Sequence, residues 1–443
     1  MHSFGYGLAH VRSEAAPEAQ ALAENLRRQL EDSDYVQGLQ CFVDGDSLFG
    51  GAAHNILQEF WEDAGSKVPV ALFSIFSPLP AELQSCRGSY PSQPSSVPFA
   101  NQRCEEVCLN RLLSTSLLSE PGSALYVPIE MGDWPSFFSN IDKMAPEGDS
   151  LNPSCSWLTT DAATAQYLAA IIDTALYGTR DGGSLAAADA QNSAIHDETG
   201  TGPAYYLGDW CQTLRPSPSW RVSALLGSLP LPVDPRFHPQ HSGELWSFLQ
   251  ATPLLGFSEG AQVPNPRGFI PLSHTMPYAP LSSAGKVVGH ALTLRGAGVL
   301  PSRVYPPAEA MLRYAMPLRT SAYLPLLTRQ NYPISSTFPL ELLSGLKSNP
   351  TASAKASKAS NSFSRSLDST DVGSHVVTTF NSSPMLDRIV REAQKALRYK
   401  SQTYCTSYWM EEGDWKERIE DVLEIRDDYH HGNDDGDDLD FED

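Results

Sequence analysis

No apolar run in the chain approaches the ~18 residues that a membrane-spanning helix needs. The N-terminus, MHSFGYGLAHVRSEAAPEAQ, lacks the charged-then-apolar layout of a secretory signal. Cysteine is scarce: seven in 443 residues, an odd number at low density, which does not make a disulfide framework. Basic residues are outnumbered, 31 Lys and Arg against 52 Asp and Glu, giving a net charge of −21. That balance argues against nucleic acid as the main partner, because phosphate binding needs a basic surface. A Gly-Lys-Ser/Thr phosphate loop is missing, and so is any repeat at solenoid periods. These absences point to a soluble protein of a reducing compartment with no transmembrane segment. What is present suffices for a large core: 41% of residues are hydrophobic and 19% charged, which excludes disorder of the whole chain.

The first half reads as α/β. Pro17 opens a helix over residues 17–30, with Leu22, Leu26 and Leu30 on one face. Leu39–Val43 is a short strand that runs into the turn-rich Asp44-Gly45-Asp46-Ser47 and then Gly50-Gly51. A second helix is expected from about Ala52 to Trp61. Val68–Phe76 is almost wholly apolar, as a strand buried on both faces of a parallel sheet would be. Residues 78–100 are Pro/Ser-rich loop, Glu105–Leu118 is helical, Ala124–Ile129 is a strand, and the Ala-rich Thr160–Tyr177 is helical. Helix, strand, loop, helix and strand in this order give parallel-sheet grammar.

The second half is less regular. Trp220–Leu231 leads into Leu-Pro-Leu-Pro, and residues 233–285 are Pro-rich. Lys286–Arg295 is expected as a strand, Ala308–Ala315 as a helix, and Ser321–Leu327 as a strand that Pro325 confines to an edge. In residues 348–374 nine of 27 are Ser, with few large apolar side chains, so the segment is expected to be disordered. Order should return at about Val376. Helices are expected over Met385–Tyr399 and Trp415–Tyr429. The last 17 residues, Asp427–Asp443, hold nine acids and no Lys or Arg, a self-repelling, solvated tail.

Several groups of residues could carry chemistry. Gly45-Asp46-Ser47-Leu48 resembles the first block of GDSL-type esterases, and Asp427-Asp428-Tyr429-His430 supplies the D-x-x-H spacing of their base pair. Ser47 would then be a nucleophile activated by His430. The simpler reading is a plain strand-to-helix turn, since the intervening oxyanion blocks of that family do not appear in order. Gly50-Gly51 could instead cradle a phosphate at a helix N-terminus, with Asp44 and Asp46 opposing it unless a metal intervened. Cys104 and Cys108 share a helix face, as zinc could use, but no second pair matches them. His238 and His241 lie in a Pro-rich loop and read as surface residues. The acidic tail suits a basic partner, a divalent cation, or solubility alone.

The C-terminal stretch from Met410-Glu411-Glu412-Gly413-Asp414-Trp415 through Ile425-Arg426-Asp427-Asp428-Tyr429 resembles the last long helix of tubulins, which begins at such a turn and ends in a Tyr and an acidic tail. Val36-Gln37-Gly38-Leu39-Gln40 resembles the tubulin Leu-Gln-Gly-Phe-Gln strand. Counted without gaps from there, the tubulin phosphate loop GGGTGSG falls on Asp46, Ser47, Leu48, Phe49, Gly50, Gly51 and Ala52. Leu292-Thr293-Leu294-Arg295-Gly296 resembles the Arg-Gly strand of the second tubulin domain. Only Gly50 keeps its glycine in register, and Phe49 stands where the loop has its central Thr. No Asn between Asn152 and Asn192 supplies the guanine contact of the central helix. The chain also starts inside the tubulin fold, without its first strand. With Leu125–Ile129 and Leu229–Pro232, this degenerate body is similar to the Misato family, of fungal type and N-terminally truncated.

That resemblance implies an α/β fold. A tubulin/FtsZ-like parallel-sheet domain (1–215), incomplete and degenerate, is followed by a smaller α+β domain (216–345). A disordered Ser/Lys-rich insertion (346–376), a C-terminal helical layer (377–430) and an acidic tail (431–443) complete the chain. It implies a role in mitochondrial distribution, morphology and inheritance of mitochondrial DNA, at the cytosolic face of the mitochondrion and in the cytoplasm. Catalysis and cofactors are not expected; partners would be mitochondrial-surface, cytoskeletal or chaperonin proteins. Residues 46–52 become a decayed phosphate loop, with Phe49, Asp44 and Asp46 putting bulk and charge where a triphosphate needs open amides. The alternatives are a GTP-binding, polymerising tubulin relative and, after it, the serine esterase.

Overall fold

A computed structural model describes residues 3–11, 17–77, 98–119, 123–130, 161–180, 205–229, 270–273, 287–295, 322–328, 331–334, 369–370 and 372–434. Outside these residues lie the helix expected at 308–315, the loop over 78–97, His238 and His241, most of the Ser-rich segment, and the tail from 435 onward.

The fold is mixed α/β. Strands β1 (Leu39–Asp44), β2 (Pro69–Phe76) and β3 (Ser123–Glu130) form a parallel sheet in the order β1-β2-β3. Leu39 pairs with Val70, and Val70 in turn with Ala124. The helices α3 (Leu48–Ala64) and α4 (Pro98–Leu118) make the two crossovers. The continuous apolar run of β2 is explained by burial on both faces: Val70, Leu72 and Phe76 enter one core, while Ala71 and Phe73 enter the other. β3 divides in the same way, with Ala124 and Tyr126 on one side and Leu125, Val127 and Ile129 on the other. Among the described residues β1 has a strand neighbour on one side only, and its Phe42 is 52% exposed.

Among the described residues the second sheet has five strands in the order β5-β4-β10-β6-β7, with β4 at Ala224–Ser228, β5 at Ile270–Pro271, β6 at Val287–Arg295, β7 at Ala322–Thr328 and β10 at Val372–Thr379. Among the described residues β7 is an edge strand, as Pro325 requires. The central strand is a correction. β10 is buried along its whole length and pairs with both β4 and β6, yet residues 372–376 were expected to be disordered. A further short pair joins β8 (Tyr332–Pro333) to β9 (Ser369–Thr370). Residues 369–370 and 372–376, inside the span expected to be disordered, are therefore strand. The second sheet takes its middle strand from beyond the insertion.

The two sheets are stitched together at β3. Tyr126 N–H donates to Arg221 O at 2.8 Å and Ser223 N–H to Tyr126 O at 2.9 Å, so residues 221–223 run alongside β3 before turning into β4. Helices α5 (Asp161–Ala175) and α6 (Leu207–Leu214) fill the core between the sheets. On the opposite face of the parallel sheet, α3 and α4 share a core with α1 (Phe4–Val11) and with two C-terminal helices, α7 (Ser383–Tyr408) and α8 (Glu412–Asp434). α2 (Pro17–Glu31) lies outside, its Leu26 and Leu30 against this core. α7 runs nine residues beyond the expected end and starts two residues before the expected beginning, and it is kinked at Lys400, whose backbone leaves helical geometry (φ −138°, ψ 27°). There Lys400 Nζ pairs with Glu105 of α4 at 2.7 Å.

Candidate functional site

The turn after β1 is the place where the sequence concentrates its chemistry. Gly45 N–H extends the ladder to Ile75 O at 2.9 Å. Asp44 is exposed, and its carboxylate accepts the Asp46 N–H at 3.1 Å. Ser47 caps α3: with extended backbone (φ −133°, ψ −176°), its Oγ accepts the Phe49 N–H at 3.2 Å. The Ser47 carbonyl accepts the Gly50 N–H at 3.1 Å. The helix therefore begins at Leu48, four residues before the sequence suggested, and Gly50 and Gly51 lie inside it rather than in a loop.

The two glycines are covered by the chain itself. α1 crosses the first turn of α3 so closely that a Cβ on Gly50 would come within 2.5 Å of the Phe4 ring. One on Gly51 would overlap the Phe4 carbonyl oxygen, and one on Gly7 the Leu48 carbonyl oxygen. The crossing is anchored at both ends. Phe4 N–H donates to Asn110 Oδ1 at 3.2 Å, and Asn55 Nδ2 to Leu8 O at 2.9 Å. Phe49, expected to supply the bulk at this corner, is instead 62% exposed. The occluding side chain is Phe4, which is fully buried. Leu48 and Ala52 are half-buried in the same crossing. Backbone and an aromatic ring occupy the glycine face, and the Phe49 and Gly50 amides already have acceptors on Ser47.

Behind the turn lies a buried ionic cluster at the C-terminal ends of the three parallel strands, where α/β sheets commonly gather ligands. Asp46 Oδ2 accepts the Ser77 N–H at 2.5 Å, and its backbone carbonyl accepts Asn110 Nδ2 at 2.7 Å. Asn110 Oδ1 also accepts the Tyr408 hydroxyl at 2.8 Å, which ties α4 to the end of α7. Arg111 reaches Ser77 O at 2.7 Å and Glu130 Oε1 at 3.3 Å, and its guanidinium lies over the Phe76 ring. Arg388 of α7 stands 3.6 Å from the same Glu130. Phe76, Arg111, Glu130 and Arg388 line a cavity of about 20 Å³, room for roughly one water, together with Met385 and Ile389.

Burial dominates the electrostatics. The Asp46 carboxyl is pushed up to about 6 by desolvation, which outweighs the opposing pull of Arg111. Arg111 Nε faces Asp46 Oδ1 at 3.7 Å, too long for a hydrogen bond, and among the described residues neither atom has a hydrogen-bond partner. Burial likewise works against the charge on Arg111.

The remaining sequence candidates are placed apart. Among the described residues Ser47 Oγ engages the Phe49 amide and, at 3.4 Å, the Asp44 carbonyl, and no histidine hydrogen bonds to it. The side chain of His430 is outside the described residues. Cys104 and Cys108 are buried on α4, and burial pushes the Cys108 thiol up to about 12. Among the described residues no three His, Cys, Asp or Glu come together as a metal site. Sequence reasoning missed Phe4, Asn110, Arg111, Glu130 and Tyr408. Their partners are tens to hundreds of residues away, so no local motif marks them.

No protein-family model matches the chain, and no curated protein matches it either.

Proposed function

We propose that the chain is a non-catalytic, tubulin-like protein of the Misato type, acting in mitochondrial distribution and morphology and in the inheritance of mitochondrial DNA. It works at the cytosolic face of the mitochondrion and in the cytoplasm through protein partners. The observation that carries this reading is the closed glycine joint. The strand–turn–helix frame is kept, but Phe4 and the α1 backbone fill the corner against Gly50 and Gly51. A body that packs its own chain there is suited to holding partners rather than turning over a ligand. The parallel β1-β2-β3 sheet, and a C-terminal helix that returns to cover its core, are in keeping with the order of elements the resemblance implies.

Depletion of the protein in its own cells, followed by imaging of mitochondria and their DNA, tests the proposal. The expected outcome is clumped or unequally inherited mitochondria, restored by the wild-type chain. Ser47→Asn should restore them equally, because Asn keeps the helix cap while removing any nucleophile. Normal inheritance after depletion would contradict the proposal. Rescue lost only in Ser47→Asn, with the variant folded, would return attention to the hydroxyl.

A further inference from the structure

Tyr408, Trp409 and Trp415 stand within one turn of chain, and two of them are core. Tyr408 and Trp415 are buried edge-to-face, their ring centroids 5.2 Å apart. Trp409 points the other way and is 60% exposed. It is also the one non-glycine residue with a left-handed backbone among the described residues (φ 52°, ψ 40°). That position ends α7, with the Trp409 and Met410 amides both donating to Cys405 O. Glycine or asparagine is the economical residue there, and a bulky side chain is strained. A strained, exposed indole is a poor way to end a helix, and strain of this kind collects where a site requires it.

The indole is not isolated. Its ring meets Tyr6 of α1 at 5.4 Å with the planes tilted by 56°, and Tyr6 stacks on His10 at 5.3 Å. Three aromatic rings from two elements thus make one surface at the α7–α8 turn. The charge beside it is negative and is partly committed. Asp414 caps the Glu411 amide at 2.6 Å, and Glu412 pairs with Lys416 at 3.2 Å. The Glu411 carboxylate, two residues from Trp409 and exposed, forms no ion pair among the described residues. An aromatic face beside an unpaired carboxylate complements a cationic side chain, which the ring attracts by its quadrupole and the acid by its charge.

We infer that the Trp409–Tyr6 face, with Glu411, is a docking surface for a basic segment of a protein partner, which lays an arginine or lysine on the indole. This inference is independent of the organelle role proposed above.

Fluorescence anisotropy of a dye-labelled Arg-Ser repeat peptide, titrated with the full chain, tests it. The wild-type chain should bind, and a Gln-Ser repeat should not. Trp409→Ala should weaken binding roughly two- to fivefold, the range for an exposed cation–π contact, with Trp409→Phe in between. Trp409→Gly should weaken binding as Ala does while leaving the urea midpoint unchanged or raised, because glycine relieves the left-handed strain. Binding unchanged in Trp409→Ala assigns the affinity to the chain's diffuse negative charge and overturns the inference. So does a lowered midpoint in Trp409→Gly, which would make the indole a packing prop for Tyr6, and so does absence of wild-type binding.

Discussion

A Cβ added to Gly51 would overlap the carbonyl oxygen of Phe4, while one added to Gly413 would meet nothing within 4 Å. The two glycines should therefore respond to alanine with opposite signs. Gly51→Ala must push α1 off α3, at a cost of about 1–3 kcal/mol by the usual scale of overpacking. Gly413→Ala, at the exposed start of α8, should stabilise by about 0.4–1 kcal/mol, because alanine restricts the unfolded chain. Urea unfolding of the two variants beside the wild type checks both. Asp46 makes a second prediction at this scale. Its carboxyl ionises near 4 when unfolded and at about 6 when folded, so between those values the folded state holds more proton. Its contribution to stability is full below about pH 4 and is lost as pH rises through 6, at up to about 1.4 kcal/mol per pH unit. Asp46→Asn should remove this part of the pH profile. A variant profile that superimposes on the wild type would contradict the assignment.

Between elements, the joints are made by polar groups buried in pairs. The Tyr429 hydroxyl, at the inner face of α8, accepts the Val222 N–H at 2.8 Å and donates to the Val222 carbonyl at 2.9 Å. Tyr429→Phe leaves both backbone groups buried without a partner, and should cost about 1–3 kcal/mol in urea unfolding. In the second sheet, His290 of β6 and His375 of β10 are fully buried, with Nδ1 of the first 3.0 Å from Nε2 of the second. Among the described residues His290 Nε2 has no hydrogen-bond partner, which favours the tautomer with the proton on Nδ1, since a buried lone pair is cheaper to orphan than an N–H. Burial pushes His290 down to about 3 and holds His375 well below its ordinary range, with His290 a secondary cause there. The sign is opposite to that of Asp46. Stability from this pair is full above about pH 6.5 and is lost as pH falls toward 3, because the unfolded imidazoles take protons first. His290→Gln, which can still donate to His375, should flatten that acid limb; an unchanged limb would contradict the pairing.

These elements differ in how plainly the sequence announced them. The unbroken apolar run of β2 and the proline of β7 state their positions directly, as a doubly covered strand and an edge. β10 hid because Val372-Gly373-Ser374-His375 carries small and polar residues on a strand that is nonetheless buried, next to a serine-rich stretch. The start of α3 was misplaced by its glycines. Gly-Gly reads as a turn, and only α1, about forty residues earlier, reveals that the pair serves a close helix crossing.

At the scale of the whole molecule, the N-terminal helix, the parallel sheet and the C-terminal helices meet in one core that joins Phe4, Leu72, Tyr126, Tyr408 and Trp415. The chain carries a net charge of −21. The account depends on α1 occupying the corner where a nucleotide fold would hold phosphate. The most direct measurement is the unfolding midpoint of the intact chain with and without saturating Mg–GTP. A ligand at about a hundred times its Kd stabilises a folded protein by about 2.7 kcal/mol, a shift of degrees. The account predicts no shift; a midpoint that rises with GTP concentration, and that Gly51→Ala abolishes, would contradict it.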